Sequence, residues 1–438
     1  GSAGGVYSRS PGESSGFFFA PFADKDLPMR ILHVTYSLAA DQGGPTMVTT
    51  RVAAAQAGLG HDVTILTRES AGKETELPTI AGSERVKIER IGRRSGLPSV
   101  VAKVFGSDSL PRLRELIARH DVVHIHNIWD PILIHAVNEA RRQNKPVVLS
   151  PHGILTRWAL SEKRLKKSIA MALLYRRAIT KVSVIHALST FEREEMAAFG
   201  FRGKVVVVPN GVFLEEIDPL PAPRTFYAAH PELNNEPFIL FLSRLHPIKG
   251  LDILVDAFAR VLSNLQHPTP TPSSSPNAQA IAHSPVPSAS LSLPRLVIIG
   301  PDFGMEAPIR EQAARLNIAD RVHLTGPIFG RAKYDAMVDC ACFCLPSGHE
   351  AFSVAIAEAM ACRAAVVISP ECHLPEAQQA GAGLVVDRDA TKLAAALEQI
   401  LTNEPARRTM GERGRKLVED HFTWTKVAES LITAYRAA

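Results

Sequence analysis

Residues 347–360 read SGHEAFSVAIAEAM and follow the short apolar run 341–346. The apolar run predicts a buried strand, and the Ala-, Val- and Ile-containing segment between Glu350 and Glu358 predicts the opening turns of a helix. In an open α/β sheet, the turn after a strand's carboxyl end lies in the ligand crevice. Ser353 can cap a helix start, where free N–H groups attract phosphate. The stretch therefore predicts a strand, an anion-binding turn and a helix.

A purely structural explanation of the two carboxylates is also open. Glu near a helix start suits the helix macrodipole whatever the protein does. Eight helical residues rise about 12 Å, so Glu350 and Glu358 can contact opposite ends of one extended ligand. The rest of the chain has to supply the other contacts of such a site.

The overall composition excludes several classes of protein. A chain of 438 residues is long enough for two domains, and 46% hydrophobic with 21% charged residues is ordinary for a globular protein. The net charge of +5 is too small to indicate a nucleic-acid partner. No apolar run reaches about 18 residues without a charge, so we expect no transmembrane helix.

The N-terminus and the cysteines bear on location. Residues 1–28 are rich in Gly, Ser and Pro, with one apolar patch at 17–22, and predict a disordered tail without a secretory signal. All five cysteines lie between Cys340 and Cys372, and their spacing matches no common zinc template. We therefore expect no metal site and a reducing, cytoplasmic compartment.

Apolar, β-rich runs alternate with helical patterns along most of the chain. This alternation predicts parallel, doubly wound sheets, and the pattern restarts in the second half. Strands are predicted at 29–36, 60–67, 86–91, 121–126, 146–150, 182–188, 205–208, 238–243, 295–300, 322–325, 341–345, 364–369 and 384–387.

The same pattern predicts the domain boundaries. A first domain covers 29–212, a Pro-rich connection covers 213–236, and a second domain covers 237–422. Within the second domain, the Pro- and Ser-rich stretch 265–294 predicts a disordered insertion. The final segment, 423–438, predicts a helix.

The turn after the first strand contains Gly43 and Gly44, followed by Pro45. The glycines let the backbone approach a ligand closely, and Pro suits a first helical position. The turn is neither the G-x-G-x-x-G fingerprint nor a P-loop, which weakens the case for nicotinamide cofactors and ATP. An ordinary tight turn is the alternative.

His152 follows a predicted strand, and Gly153 beside it permits close approach of a ligand. An imidazole there can hydrogen-bond a hydroxyl or hold a proton. His124 and His126, by contrast, fit a structural role within their strand. We therefore select His152 as the candidate site histidine.

Arg244 and Lys249 lie in the turn between the first strand and first helix of the second half. Arg offers a forked donor and Lys a point charge, so the pair suits a diphosphate.

The segment 157–177 combines one apolar helical face with a cluster of Lys and Arg. Such a helix can lie on an anionic membrane surface or attract a pyrophosphate-bearing acceptor. A solvated face of an ordinary domain helix is the alternative.

These features occur in a fixed order along the chain, namely Gly43-Gly44, His152, Pro209-Asn-Gly211, Arg244 with Lys249, and Glu350 with Glu358. In this order they resemble the retaining glycosyltransferases of family four, and the resemblance covers roughly residues 29–437. It implies the GT-B fold, in which two Rossmann-like domains face each other across a cleft and the last helix crosses back to the first domain.

The resemblance also implies substrates. A nucleotide-sugar donor, with GDP or UDP as the nucleotide, would bind mainly to the second domain, and no cofactor or metal would be required. A saccharide or polyprenyl-diphosphate-linked acceptor would bind mainly to the first domain. The expected setting is polysaccharide or glycolipid biosynthesis at the cytoplasmic face of the membrane.

Residue roles follow from the resemblance alone. Arg244 and Lys249 would bind the donor diphosphate, Glu358 the ribose and Glu350 the sugar, while His152 would contact the sugar near the reacting carbon. Backbone contacts to the donor would come from Gly43, Gly44, Ile328, Phe352, Ser353 and Val354.

Retention in such enzymes is attributed to attack by the acceptor on the face from which the diphosphate leaves. The alternative, a glycosidase-like carboxylate pair, needs a separation of about 5 Å. Glu350 and Glu358 do not fit that requirement if a helix separates them. Glu350 is therefore assigned to orientation and charge stabilisation.

One departure from the family pattern keeps other functions open. Arg363 and Ala365 stand where the family often has Gly and Pro, and Gly would ease a left-handed helix exit. Arg363 keeps open a catalytically silent nucleotide-sugar-binding protein. A nucleotide-sugar epimerase on the same fold is a further alternative, which the Arg244 and Lys249 pair and the Glu spacing disfavour.

Overall fold

The computed structural model describes residues 27–39, 44–68, 74–92, 110–157, 175–267 and 292–438. The predicted N-terminal tail with its Phe patch lies almost wholly outside these residues. So do Gly43 and the greater part of the predicted insertion 265–294. The basic segment 157–177 is described only at its two ends.

A seven-stranded parallel sheet forms the core of the first domain in the described residues, in the order 3-2-1-4-5-6-7. Its strands alternate with helices, as expected where helices cover both faces of a parallel sheet. The strand order reverses between the first and fourth strands, so a crevice is expected at their carboxyl ends. The strands are β1 (Arg30–Val34), β2 (Asp62–Arg68), β3 (Lys87–Ile91), β4 (Val122–His126), β5 (Val147–Ser150), β6 (Val184–Ala187) and β7 (Lys204–Val207).

Helices with local start signals connect these strands. Asp130 begins one of them, because its Oδ1 accepts from the Ile132 N–H at 2.9 Å and Pro131 follows at the first helical position. The helices described in this half are α1 (Gly44–Gly58), α2 (Leu110–Arg119), α3 (Pro131–Arg142), α4 (Arg176–Ile179) and α5 (Thr190–Phe199). Two short helices, α6 (Leu214–Ile217) and α7 (Thr225–Ala229), lie in the connection.

The second domain contains a six-stranded parallel sheet in its described part, in the order 10-9-8-11-12-13. Two of its strands, Cys342–Leu345 and Val366–Ile368, are apolar and buried throughout, as expected for strands covered on both faces. The strands are β8 (Phe238–Leu242), β9 (Arg295–Ile299), β10 (Val322–Gly326), β11 (Cys342–Leu345), β12 (Val366–Ile368) and β13 (Gly383–Val385). The helices are α8 (Leu251–Gln266), α9 (Glu306–Arg315), α10 (Ala332–Asp339), α11 (Val354–Ala361), α12 (Glu376–Gln379), α13 (Ala390–Thr402), α14 (Glu404–His421) and α15 (Trp424–Arg436).

The last helix, α15, packs under the first sheet rather than the second. Trp424 and Tyr435 are almost fully buried in the apolar cluster that contains helix α1. The chain passes between the domains twice, and the two crossing segments lie side by side. The Val212 N–H donates to the Phe422 carbonyl at 2.8 Å, and the Trp424 N–H donates to the Val212 carbonyl at 3.0 Å. A Cβ on Gly211 would lie 2.7 Å from the Trp424 nitrogen, so glycine permits this contact.

The predicted fold class, two Rossmann-like parallel-sheet domains, is confirmed. Among the described residues, no helix combines the length and apolar composition needed to cross a bilayer.

Two local predictions about the stretch 347–360 are wrong. The spacing of eight helical residues between Glu350 and Glu358 is wrong, because helix α11 begins only at Val354. Glu350 lies in the turn before it, where its N–H donates to the Glu371 carbonyl at 2.9 Å and holds the turn against a neighbouring loop. Ser353 occupies the N-cap position, but its side chain makes no capping hydrogen bond. The first turn of α11 therefore begins without a side-chain cap.

The two positions that depart from the family pattern behave differently. Arg363 follows the end of α11 with a φ of 64°, the left-handed conformation that glycine adopts without cost. Its side chain is exposed, while a Cβ on Gly411 would lie 2.1 Å from its carbonyl oxygen. Ala365 is buried, and its carbonyl accepts from the Phe343 N–H at 2.9 Å.

Replacing Arg363 with glycine should stabilise the second domain. Relief of the left-handed strain is worth roughly 1 kcal/mol, which should raise the thermal midpoint by about 2 °C. Arg363→Ala is the matched control, because it removes the same charge and keeps the Cβ. Equal midpoints for the two variants would contradict a backbone origin of the strain.

Candidate active site

Two loops meet at the carboxyl ends of β8 and β11, the point where the strand order of the second sheet reverses. The Gly348 N–H donates to the Ile248 carbonyl at 2.6 Å. Gly250 has a φ of 68°, and a Cβ there would lie 2.1 Å from the Pro346 carbonyl oxygen. Glycine at this position therefore lets the first loop lie directly against the second.

Lys249 and Glu350 form an ion pair between these loops. The Lys249 Nζ lies 2.5 Å from Glu350 Oε1, and the two side chains are only 9% and 11% exposed. A charge removed from water to this extent needs its partner, so each residue fixes the other. Glu350 is consequently engaged by an ammonium group and is not an isolated nucleophile.

Arg244 lies near this pair in sequence but is exposed. Its guanidinium is 5.4 Å from the centroid of the Phe303 ring. Such stacking orients the planar fork while leaving it accessible to solvent. The structure therefore gives Arg244 and Lys249 different environments within one turn.

Glu358, on helix α11, has a partner that the sequence did not indicate. Lys333 donates from Nζ to Glu358 Oε1 at 2.7 Å, and Glu358 is largely buried. The same Nζ lies 4.8 Å from the centroid of the Tyr334 ring. Burial, followed by the charge of Glu358, raises the pKa of Tyr334. No motif around Lys333 predicts this pair, since its partner is on a different helix.

The remaining predicted contact positions lie on separate elements. Ile328 follows β10 and is partly buried against the hydrophobic core of the second domain. Phe352 packs edge-on against Phe422, with ring centroids 5.6 Å apart, and Val354 begins helix α11. Gly44 begins helix α1, and a Cβ added there would meet nothing within 4 Å. The structure brings Lys249 and Glu350 into contact and places Gly44 and Ile328 on other elements.

The loop that carries His152 contacts the second domain. His152 and Gly153 both have left-handed backbones, with φ values of 54° and 78°. A Cβ on Gly153 would lie 2.8 Å from the Cβ of Ala351, the residue after Glu350. The buried carboxylate of Glu192 accepts the Gly153 N–H at 2.6 Å, and burial raises the pKa of Glu192. The predicted residues His152 and Glu350 thus lie on two loops that touch.

A stacked aromatic pair also joins the two domains. The ring of Phe191, at the start of helix α5, stacks on His373 of the second domain with centroids 3.9 Å apart and planes inclined by 10°. Burial lowers the pKa of His373 to about 4, so this ring is neutral near pH 7.

His152 is linked to a group of buried histidines in the first domain. Its Nε2 lies 3.1 Å from Nδ1 of His126, and the two rings stack. Burial, with a smaller effect of His186, lowers the pKa of His152 to about 3. The sequence predicted only a structural role for His126. The signal for its link to His152 is that its strand, β4, pairs with the strand that carries His33.

His33, His124 and His126 offer ring nitrogens close enough together to hold a metal ion. However, Nδ1 of His33 lies 2.9 Å from Nε2 of His126. Two nitrogens bound to one tetrahedral zinc would be about 3.4 Å apart, so the observed spacing fits a hydrogen bond better. Both nitrogens of His124 also have hydrogen-bond partners.

The protein has two parallel-sheet domains that face each other, and charged and imidazole side chains lie near the points where the strand orders of the two sheets reverse. This arrangement is that of the GT-B class of glycosyltransferases. A family described as "Glycosyl transferase 4-like domain" matches residues 43–211, and the family "Glycosyl transferases group 1" matches residues 278–417. The chain contains both of these glycosyltransferase domains, and it is a glycosyltransferase.

Curated relatives cover most of the chain. It is 26% identical over 422 residues to D-inositol 3-phosphate glycosyltransferase of Kineococcus radiotolerans, with 91% of each chain covered. It is 28% identical to the GDP-mannose-dependent alpha-(1-6)-phosphatidylinositol monomannoside mannosyltransferase of Mycobacterium tuberculosis, over 73% of this chain and 77% of the relative.

Solved structures agree on the fold. The HepE protein of Anabaena, in complex with UDP and glucose, has a TM-score of 0.68 at 17% identity and covers 94% of this chain and 100% of its own. Sucrose-phosphate synthase of Thermosynechococcus elongatus has a TM-score of 0.65 at 20% identity, with 93% and 98% covered.

The buried histidines should make stability depend on pH. Burial lowers the pKa of His33 and His186 to about 4, whereas in the unfolded chain the value is about 6.5. Between these values the unfolded state binds protons that the folded state does not. As the pH is lowered through this range, the free energy of unfolding should therefore fall by about 1.4 kcal/mol per pH unit for each such histidine.

The measurement is the thermal midpoint at pH 7.5, 6.5, 5.5 and 4.5. The exposed His267, replaced by Gln, serves as a control that should leave the profile unchanged. A midpoint that stays constant from pH 6.5 to 4.5 would show that these histidines are not held neutral by burial.

Proposed function

We propose that the protein is a retaining, metal-independent hexosyltransferase. It moves a sugar from a nucleotide-diphosphate sugar to a saccharide or lipid-linked acceptor in glycolipid or polysaccharide biosynthesis. One observation carries the proposal: the Lys249–Glu350 pair lies beside the contact between Gly153 and Ala351. Charge and imidazole from the two domains are thereby presented to one region of the cleft.

Departure of the donor diphosphate is the step that needs positive charge. We assign Arg244 and Lys249 to neutralising it, and the uncapped first turn of helix α11 supports this by offering the N–H groups of Val354 and its neighbours. We assign Gly43 and Gly44 to the opposite side of the diphosphate.

Glu350 orients the donor sugar and holds Lys249 in place. Because its carboxylate already accepts from an ammonium group at 2.5 Å, it is a poor candidate for a glycosidase-like nucleophile. Same-face attack by the acceptor as the diphosphate leaves is then the simplest route to retention. Glu358 is assigned to the ribose, and Ile328 to the region of the base.

The acceptor is proposed to bind to the first domain, residues 29–212. The connection 213–236 and the crossing helix 423–438 would allow the second domain, 237–422, to move relative to it. The relatives named above act on inositol phosphate or phosphatidylinositol mannoside. A phosphorylated or lipid-linked acceptor is therefore our first choice. Peripheral binding to an anionic membrane through segment 157–177 remains part of this proposal.

The first test is a metal-free screen of UDP-, GDP-, ADP- and dTDP-sugars by thermal shift and donor hydrolysis. We expect one nucleotide class to stabilise the protein and to be hydrolysed slowly. Glu350→Gln should lower turnover by about 100-fold, because the charge that positions Lys249 and the sugar is lost.

The matched control is Asp387→Asn. Asp387 pairs with Lys392 at 2.5 Å, but both side chains are more than half exposed, so this variant should keep full activity. Binding of a donor with neither hydrolysis nor transfer would support the catalytically silent alternative. Conversion of the donor into its epimer would support the epimerase alternative.

A further inference from the structure

A continuous series of hydrogen bonds runs through the interior of the first domain and ends at His152. We call it the histidine chain, and its members in order are Val208, His186, Ser150, His124, Tyr435, Gln56, His33, His126 and His152.

The first part of the histidine chain starts at a backbone carbonyl. Nε2 of His186 lies 2.7 Å from the Val208 oxygen, and Nδ1 of His186 lies 2.6 Å from Oγ of Ser150. The same Oγ lies 2.6 Å from Nε2 of His124. A carbonyl can only accept, so His186 carries its proton on Nε2 and its Nδ1 accepts the Ser150 hydroxyl proton.

The second part passes through the crossing helix α15. With its hydroxyl proton directed at His186, Ser150 can only accept from His124. Nδ1 of His124 must therefore accept the Tyr435 hydroxyl proton, across 2.5 Å. The Tyr435 oxygen then accepts from Nε2 of Gln56 at 3.0 Å. Burial raises the pKa of Tyr435, so its hydroxyl keeps its proton.

The third part reaches the cleft. The Gln56 carbonyl oxygen lies 2.7 Å from Nε2 of His33, which must donate. Nδ1 of His33 then accepts from Nε2 of His126 at 2.9 Å, and Nδ1 of His126 accepts from Nε2 of His152 at 3.1 Å. Each neutral imidazole in this series carries its proton on Nε2.

One atom at the end of the histidine chain has no partner. Nδ1 of His152 is buried and makes no hydrogen bond within the part of the chain that the structure describes. Since Nε2 holds the proton, this Nδ1 presents a lone pair. The next residue, Gly153, is the one that touches Ala351 of the second domain.

We propose that Tyr435 is a positioning residue that, through Gln56, His33 and His126, holds His152 in the Nε2–H form and leaves its Nδ1 to accept a hydrogen bond from a hydroxyl of the donor sugar. The second half of this statement rests on the proposed function, because it requires a sugar next to His152.

The proposal gives helix α15 a chemical role besides its packing. Tyr435 is separated by 311 residues from His124 and by 379 from Gln56, yet its single hydroxyl joins the two halves of the histidine chain. Removing the hydroxyl leaves Gln56 without the acceptor that fixes its amide orientation. The direction of the protons from His33 to His152 is then no longer determined.

The test is ¹⁵N NMR of histidine-labelled protein in the absence of any substrate, with the His152 signals assigned from a His152→Gln sample. Correlations between ring nitrogens and carbon-bound ring protons distinguish a protonated nitrogen from an unprotonated one. We expect His152 to be fully Nε2–H in the wild type and a mixture of tautomers in Tyr435→Phe. Tyr227→Phe is the matched control, because that hydroxyl donates to the Glu236 carbonyl outside the histidine chain.

Kinetics test the second half of the proposal. Tyr435→Phe should lower kcat/KM for the nucleotide sugar about tenfold and leave the affinity for the nucleoside diphosphate alone unchanged. A donor that lacks the contacted hydroxyl should show no difference between wild type and variant. A loss that is equal for all deoxy donors would overturn the assignment of Nδ1 to a sugar hydroxyl.

Gln56→Met provides a second variant should Tyr435→Phe fold poorly, since it breaks the same series at the next group. An unchanged His152 tautomer in both variants would overturn the positioning role, as would a metal ion found bound between His33 and His126. The NMR measurement does not depend on enzyme activity. If the His152 tautomer changes in Tyr435→Phe but the wild type shows no transferase activity, the proposed function is contradicted and the positioning role of Tyr435 is supported.

Discussion

The arrangement of the second domain's half of the site depends on a nearly buried ion pair. Lys249 and Glu350 come from loops after neighbouring strands, β8 and β11, and the loops can meet only because Gly250 leaves room for the Pro346 carbonyl. Desolvation makes either charge alone unfavourable, so the pair holds the two loops together. The start of helix α11 and the turn that contacts the first domain both follow from this position.

In the first domain, the groups linked to His152 are neutral imidazoles. Burial depresses the pKa of each imidazole in the histidine chain, and hydrogen bonds to carbonyl, hydroxyl and amide groups replace the lost water. A side with a nearly buried ion pair and the exposed guanidinium of Arg244 thus faces a side that offers an uncharged acceptor. Such a division suits a ligand with an anionic diphosphate at one end and hydroxyl groups at the other.

Much of this could be predicted from the sequence, for a physical reason. Alternating strand and helix patterns are local, and Lys249, Glu350 and His152 lie at strand ends, where the fold class places ligands. Tyr435 and Lys333 could not be found in this way, since their partners are distant in sequence or on another helix. The helical spacing predicted between Glu350 and Glu358 is wrong because the hydrogen bond that holds the Glu350 turn, to Glu371, is also non-local.

The stacking of Phe191 on His373 has a consequence for access to the cleft. An aromatic pair contributes about 0.5–1.5 kcal/mol beyond the area it buries, which corresponds to a factor of roughly 2–10 in an equilibrium. An interaction of this strength favours contact between the two domains but does not hold them together by itself. Thermal energy at ordinary temperatures is enough to separate the rings, so this contact alone does not fix the distance between the two domains.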